Sequence, residues 1–318
     1  MHLKLFFLPS KAVASRITET FSFVWPTAAA IWNLRWQVQG LVGARPDISE
    51  KDLLGRFVEG SGIQGVNLRG SCIDTSWESQ QEQFAKFLLF ELCALYESWC
   101  ELITEQLSLP TASKKNLQFP SGATPAGNTT GVGNVLTLIS AHASSTFNSS
   151  FHPSLTTNRK YSPNHLQELL VCYRYFKELR NALIHGSGSA LSKLIAEESR
   201  YAALTAANLG LSERPLFVPY SSSALPRLSL RGVVGFGEVV LKLVCTLDIE
   251  LAATRFAEQD FRRRWKRENG SATSLVAALD APRRNRRIGV LTRKLGLPTP
   301  TVTPDFLAWL RSEGLIFY

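Results

Sequence analysis

Three polar residues near the middle of the chain have the types and the spacing to act together on a phosphate ester. Arg180, Asn181 and His185 lie in the stretch YFKELRNALIHG. On a helix, Asn181 and His185 share a face because they are four residues apart, and Arg180 lies on the adjoining flank. We therefore expect the guanidinium, the amide and the imidazole to converge on one ligand.

This set of side chains suits the cleavage of RNA by its own ribose. Attack of a 2′-hydroxyl on the neighbouring phosphate needs a proton acceptor, a proton donor for the leaving oxygen and positive charge on the phosphorane. His185 is the candidate general acid or base, Arg180 would clamp the phosphate, and Asn181 would orient the ring or the scissile group. No metal or cofactor is expected. Since one histidine does not easily serve both proton transfers, we expect a homodimer that brings two copies of the motif across a cleft.

Two long amphipathic patterns position this motif. Apolar side chains recur at helical intervals from Trp77 to Leu109, and Pro110 is expected to end that helix. The second pattern begins near Ser162 and runs through the motif to Gly186, a residue typical of helix ends. Further helices are predicted over residues 26–42, 191–204 and 235–265, with two short helices near the end of the chain.

The motif R-N-x-x-x-H at the end of a long helix, together with the earlier helix LLFELCALYESWCELI, resembles the HEPN superfamily over roughly residues 77–265. The resemblance implies a helical bundle, often dimeric. It also implies kinship with the many metal-independent ribonucleases of toxin–antitoxin, phage-defence and RNA-processing systems, with Arg180, Asn181 and His185 as the site. Many active members add an acidic residue from the earlier helix. Glu97 is the matching position, and Glu91 is the alternative.

The predicted fold is mainly α, with a HEPN-like helical bundle at its centre. We place an N-terminal helical extension at residues 1–76, the bundle at 77–265 and a basic C-terminal segment at 266–318. This last segment is expected to be a small helical unit, with a winged-helix-like form as one version. Residues 110–164 are rich in Ser, Thr, Gly, Pro and Asn, and we expect them to form a long polar insertion loop.

Positive charge is concentrated in one C-terminal stretch. The chain has a net charge of +9, and residues 255–294 carry +8 of it, with twelve Lys and Arg against four Asp and Glu. Such a stretch favours a partner with a phosphate backbone. Trp265 lies within it and is expected either to stack on a base or to pack in the core. The candidate nucleic-acid-binding residues are Arg262, Arg263, Arg264, Lys266, Arg267, Arg283, Arg284, Arg286 and Arg287.

Composition indicates a cytoplasmic globular protein. With 318 residues, of which 45% are hydrophobic, the chain can bury a sizeable core. The apolar run in MHLKLFFLPS is too short for a signal peptide. No membrane association is expected. The five cysteines are expected to be buried free thiols. The tryptophans, Trp25, Trp32, Trp36, Trp77 and Trp99 among them, are expected to anchor the core.

Two functional hypotheses follow. The first is a metal-independent RNA endonuclease of the toxin or anti-phage defence type, which leaves a cyclic phosphate and has an antitoxin or defence-system protein as a partner. The alternative is a non-catalytic HEPN-like nucleic-acid-binding or scaffold protein that acts through its basic C-terminal segment. A weaker third hypothesis is that this segment docks an acidic partner protein.

Overall fold

The computed structural model describes residues 3–119, 131–186, 188–215, 217–218, 227–270, 273–275 and 280–317, and this part of the chain is mainly helical, as expected. Its α-helices are α1 (Leu8–Ala44), α2 (Glu50–Phe57), α3 (Trp77–Gln106), α4 (Thr111–Gln118), α5 (Gly131–Ala141), α6 (Ser145–Ser150), α7 (His152–Leu155), α8 (Leu166–His185), α9 (Gly188–Ala202), α10 (Ala206–Leu209), α11 (Leu230–Ala252), α12 (Arg255–Asn269), α13 (Ala281–Lys294) and α14 (Pro304–Ser312). Two-residue strands are β1 (Phe217–Val218), β2 (Arg227–Leu228), β3 (Thr273–Ser274) and β4 (Ile316–Phe317).

The first helix is longer than its apolar pattern predicts. α1 begins at Leu8, so the expected start at Pro26 is wrong. Pro9 occupies the first turn, where its missing N–H costs nothing, whereas Pro26 lies inside the helix and leaves the carbonyl of Ser22 without its usual donor. Packing of α1 against α3 and α11 therefore holds a helix that its own sequence would interrupt.

The expectation of a polar insertion loop over residues 110–164 is wrong for the described part of that segment. It forms four helices, α4 to α7, and α4 packs on both α3 and α5. On α5, Val132, Val135 and Ile139 are buried at helical spacing, so the polar composition conceals an apolar stripe. Residues 120–130 of this segment lie outside the described residues.

The single long helix predicted over residues 235–265 is two helices. α11 ends at Ala252, and Thr254 caps α12 by accepting a hydrogen bond from the backbone N–H of Ala257. The chain between them pairs with the α5–α6 connection, since the N–H of Ser144 donates to the carbonyl of Ala253 over 2.8 Å. The boundary drawn between residues 265 and 266 therefore falls inside α12.

Aromatic rings join the three central helices. Tyr173 and Phe176 of α8 stack on Phe236 of α11, with ring centroids 5.8 and 4.6 Å apart, and Tyr96 of α3 lies 4.4 Å from Tyr173. Each of these side chains is fully buried. The contacts fix α3, α8 and α11 against one another, which sets the frame for the motif at the end of α8.

A second aromatic cluster brings distant parts of the chain together. The ring of Phe147 in α6 contacts Phe6, Phe261 of α12, and Phe306 and Trp309 of α14, with centroids 5.2 to 6.2 Å apart. These rings belong to the same continuous core as α3, α8 and α11. The C-terminal helices are thus packed into the common core.

A buried carboxylate anchors the segment before α1. The backbone N–H groups of Phe6 and Phe7 donate to Asp248 of α11 over 2.7 and 3.0 Å. Ser10 also hydrogen-bonds Asp248 and accepts a hydrogen bond from the indole of Trp99 over 2.9 Å. This network ties α1, α3 and α11 together in the interior.

The expected core position is wrong for three tryptophans of α1. Trp25, Trp32 and Trp36 are 49%, 39% and 59% exposed, whereas Trp99 and Trp265 are fully buried. The three indoles lie on one stripe of α1, where the ring of Trp32 lies 5.1 Å from that of Trp77 at the start of α3.

The cysteines follow the expectation, since Cys72, Cys93, Cys100, Cys172 and Cys245 are free and buried. Among the described residues, no helix has the length and apolar character needed to cross a membrane.

Candidate active site at the end of the eighth helix

The motif lies in the last turns of α8, on the helix that its pattern predicts. α8 ends at His185, and Gly186 follows in the left-handed conformation with φ +56°. The N–H of Gly186 donates to the carbonyl of Ala182 over 3.0 Å, which closes the helix end. The glycine stop predicted from the sequence is confirmed.

The acidic partner of Arg180 comes from α3. Arg180 Nη2 forms an ion pair with Glu97 Oε1, and the two side chains are only 19% and 27% exposed. Glu91 lies elsewhere, 3.1 Å from Arg16 of α1. Of the two acidic residues considered from the sequence, the structure therefore brings Glu97 to the motif.

Lys177 is a member of this cluster that the sequence reasoning missed. Its Nζ lies 2.9 Å from Glu97 Oε1, donates to the carbonyl of Gln118, and sits 3.8 Å from the ring centroid of Phe119. The signal was available, because Lys177 precedes Arg180 by three residues and so shares its side of the helix. Glu97 is thus held by two cations, and the end of α4 covers Lys177.

Asn181 is held by a different carboxylate. Its Nδ2 donates to Glu178 Oε2 over 3.3 Å, and Arg174 Nη2 lies 2.6 Å from Glu178 Oε1. The side chain of Glu178 is 3% exposed, so this carboxylate is almost removed from water. We expected Asn181 to orient the imidazole of His185 or the scissile group. In the described part of the chain no hydrogen bond joins Asn181 to His185, so Asn181 does not orient the ring by direct contact.

His185 is the exposed member of the motif. Within the described residues, no hydrogen bond or ion pair holds its imidazole. Arg180 lies five residues earlier, about 7 Å along the helix axis, on a different side of α8. The arrangement is therefore a fixed guanidinium near the α3–α8 groove and an accessible imidazole at the helix end.

The interior beneath the ion pair is uncharged at neutral pH. Burial raises the pKa of the Cys93 thiol to about 12, although the positive charge of Arg180 opposes this shift. Above it, Arg174, Lys177 and Arg180 face Glu97 and Glu178. The cluster therefore carries one excess positive charge without counting His185, which suits a single phosphate group.

Most side chains in the basic run of α12 are buried or paired within the protein. Arg264 is 4% exposed and lies 2.8 Å from Asp260, which also pairs with Arg263 at 2.7 Å. Trp265 is fully buried and its indole donates to the carbonyl of Leu315 over 3.1 Å, so the expectation that it stacks on a base is wrong. Arg264 is likewise too deeply buried to contact a nucleic-acid phosphate, so it is not a binding residue.

The remaining candidates on α12 differ in whether they form ion pairs within the protein. Arg262 pairs with Glu313 at 2.9 Å, and Arg267 pairs with Glu268 at 2.9 Å. Lys266 is exposed and has no ion pair within the described residues. This helix therefore offers few free cations.

Five of the six basic residues of α13 instead form one exposed face. At 100° per residue they fall within about 120° of the helix circumference, with Val290 between them. Arg283 lies 3.8 Å from Asp280, and no other ion pair to these residues occurs in the described part of the chain. Arg284, the remaining candidate on this helix, is half-buried. We call this face the α13 basic stripe, and its members are Arg283, Arg286, Arg287, Arg293 and Lys294.

No family model, curated protein or solved structure matches this chain. The described residues also contain no group of three or more His, Cys, Asp and Glu side chains arranged to hold a metal ion.

Proposed function

We propose that this protein is a metal-independent RNA endonuclease of the HEPN type, which cleaves by attack of a ribose 2′-hydroxyl and leaves a cyclic phosphate. The observation that supports it is the ion pair between Glu97 and Arg180, less than two helical turns before the exposed His185. This arrangement supplies a guanidinium held in place and an imidazole open to solvent, which are the two groups that the reaction needs first.

In the proposed reaction the 2′-oxygen bonds to phosphorus, and the bond from phosphorus to the 5′-oxygen breaks. His185 accepts the proton of the 2′-hydroxyl or donates one to the departing 5′-oxygen. Arg180 stabilises the charge on the phosphorane, while Glu97 holds the guanidinium in position. The products are a 2′,3′-cyclic phosphate and a 5′-hydroxyl.

The second proton transfer is assigned to His185 of a second copy of the chain. A two-fold axis near the ends of two α8 helices would place both imidazoles across one cleft. The half-exposed Ile184, next to His185, offers apolar surface for such a contact. The homodimer is therefore part of the proposal.

The proposal extends to a cytoplasmic enzyme of the toxin or anti-phage defence type, acting on RNA and paired with an antitoxin or defence-system protein. Its support is the sequence resemblance of the R-N-x-x-x-H motif and of Glu97. The excess positive charge of the chain is consistent with an RNA substrate.

The decisive experiment incubates the protein with total cellular RNA in EDTA. Wild type should give discrete fragments that end in cyclic phosphate, and His185→Ala should give none. His152→Ala is the matched control, because His152 lies outside the motif and should leave cleavage unchanged. Equal cleavage by wild type and His185→Ala, with both proteins folded by circular dichroism, would refute the assignment.

A second candidate function rests on the α13 basic stripe. Five cations on one exposed helix face, with one carboxylate nearby among the described residues, are suited to a phosphate backbone. In this version the protein is a non-catalytic nucleic-acid-binding or scaffold protein. Substitution of Arg286 and Arg287 by Glu would then abolish function, whereas His185→Ala would have no effect.

A further inference from the structure

A cleft of about 830 Å³ opens between α1, α11 and the residues around Gly210 to Pro215. It adjoins a smaller pocket of about 240 Å³ beside the start of α8, and the two share Arg159, Gly210 and Lys242 in their walls. His185 lies at the other end of α8, which has 20 residues and is therefore about 30 Å long. This α1–α11 cleft is separate from the motif.

The charges around the α1–α11 cleft do not balance. Two carboxylates face it, and each already has a partner: Glu238 pairs with Lys160, and Glu213 pairs with Arg231. Three further cations remain in the lining, namely Arg159, Arg214 and Lys242. Within the described residues none of these three forms an ion pair, so the cleft has an excess of three positive charges.

Lys242 is the deepest of these cations. Only 7% of the residue is exposed, and its Nζ donates to the Ser162 hydroxyl over 2.9 Å. An ammonium group has three protons to donate, and this is the single acceptor it finds in the described part of the chain. Glu238, one turn earlier on α11, attracts Lys242 but forms its ion pair with Lys160. A nearly buried cation without an ion pair of its own is costly, which indicates that an anion completes its surroundings.

The other two cations of the lining differ in the hydrogen bonds that they make to the protein. The Arg214 guanidinium is used within the protein, since it donates to the carbonyls of Ala202 and Leu204 over 3.0 and 3.1 Å. Arg159 is exposed and has no such bonds among the described residues. Arg159 and Lys242 are therefore the two cations open to a ligand.

The cleft also has apolar side chains in its lining. Ile17 and Phe21 of α1 face Val234 and Leu241 of α11, and Leu211 adds a further aliphatic side chain. A lining that combines free cations with apolar side chains favours a ligand that has an anionic end and an apolar body.

We propose that the α1–α11 cleft binds an organic phosphate, whose phosphate lies against Lys242 and Arg159 and whose aromatic or other apolar body lies against Phe21 and Leu241. The volume suits a small molecule. Phosphate is favoured over a single carboxylate because it offers more acceptor oxygens and more charge to a site with three excess cations. This site is independent of the proposed ribonuclease, since none of its residues belongs to the motif.

Isothermal titration calorimetry of the full chain with phenyl phosphate tests the ligand class. Phenyl phosphate should bind at least about tenfold more tightly than inorganic phosphate, benzyl alcohol or benzoate, since each of these lacks one half of the proposed ligand or carries less charge. The absence of heat from millimolar phenyl phosphate would overturn the proposal. Equal affinity for benzoate would overturn the assignment to phosphate.

Two variants locate the binding. Arg159→Ala removes an exposed side chain and Lys242→Met replaces the buried ammonium by an apolar chain of similar length, and each should weaken phenyl phosphate binding about tenfold or more. Arg56→Ala, an exposed arginine of α2, is the control and should bind as wild type does. Unchanged affinity in both cleft variants would place any binding elsewhere and overturn the proposal.

Pyridoxal 5′-phosphate provides a direct map of the site. Its aldehyde condenses with a lysine amine to an imine with release of water, and borohydride then adds hydride to the imine carbon to give a stable secondary amine. Because the phosphate pairs with Lys242, peptide mapping should find the label at Lys160, a second lysine of the lining. Pyridoxal, which lacks the phosphate, should give no label there, and excess phenyl phosphate should prevent labelling by pyridoxal 5′-phosphate. Labelling that is spread over exposed lysines such as Lys51, or that does not need the phosphate, would contradict the assignment.

Discussion

Glu97 and Lys177 are joined across the α3–α8 interface, with Lys177 Nζ 2.9 Å from Glu97 Oε1. Arg180 pairs with the same oxygen. One carboxylate therefore fixes two cations of α8, of which Lys177 is almost completely buried. Removal of the negative charge leaves a desolvated ammonium without its partner, and this links the stability of the bundle to the geometry of the motif.

Glu97→Gln should lower the free energy of unfolding by about 2 kcal/mol, because it leaves Lys177 and Arg180 unpaired at a partly buried position. It should also abolish the proposed RNA cleavage by releasing the guanidinium. Urea denaturation measures the first effect. Glu91→Gln is the control on the same helix, since its partner Arg16 is exposed, and it should change stability by less than about 0.5 kcal/mol. Equal losses in the two variants would contradict this account.

Gly186→Ala should destabilise the protein by about 1 kcal/mol. The φ of Gly186 is +56°, and an added Cβ would meet nothing within 4 Å, so backbone strain is the only cost. Gly40 of α1 also has open space at its Cβ position but has no positive φ. Gly40→Ala should therefore raise the free energy of unfolding by up to about 1 kcal/mol. The opposite signs can be read from paired thermal unfolding curves, and a loss of stability in both variants would refute the reasoning.

Asp248 should make stability depend on pH. Burial raises the pKa of this carboxyl to about 6, against the hydrogen bonds from Phe6, Ser10 and Phe7. Because the folded state binds this proton more tightly than the unfolded chain, the stabilisation is complete below about pH 4 and is lost as the pH rises to about 6. Across the whole transition, from well below pH 4 to well above pH 6, the free energy of unfolding should fall by about 3 kcal/mol more in wild type than in Asp248→Asn. Parallel pH profiles for the two proteins would exclude this role.

The α13 basic stripe should determine how salt affects nucleic-acid binding. Arg286→Ala and Arg293→Ala remove exposed cations, so each should reduce the slope of log affinity against log salt by about 1. Fluorescence anisotropy with a labelled single-stranded RNA measures the slope. Arg264→Ala is an unsuitable probe because Arg264 is buried against Asp260. Arg56→Ala is the matched exposed control, and a similar loss of slope in that variant would show that binding is not confined to α13.

The long helices could be predicted because their signals are redundant. In α3 the apolar spacing continues over a long stretch, and in α8 the apolar spacing and the stop at Gly186 agree. α5 shows the opposite case. Its Val132, Leu136 and Ile139 have helical spacing, but the surrounding Ser, Thr, Gly and Asn masked a short stripe that becomes helical only by packing.

The candidate site was predictable within one helix and less so between helices. The positions of Arg180, Asn181 and His185 on one helix follow from their spacing, and Glu97 followed from the family resemblance. The expected convergence of the three side chains is not seen, because Arg180 turns to Glu97 and Asn181 to Glu178. The contact of Gln118 with Lys177 depends on how α4 folds back over α3, which no local pattern encodes. The three exposed tryptophans of α1 were misplaced for the same reason, since helical periodicity does not tell which side of a helix meets its neighbours.

The ring of Phe147 has a consequence for how the chain is made. Phe6 and Phe306 are 300 positions apart in sequence, yet both pack against this one ring. While the polypeptide is being synthesised, the rings of Phe6 and Phe147 can meet, but the side that Phe306 covers stays open to water until that residue leaves the ribosome. The nascent chain must therefore carry an unfinished aromatic surface from the synthesis of Phe147 until Phe306 has emerged, and the closure of this surface is a late, non-local step.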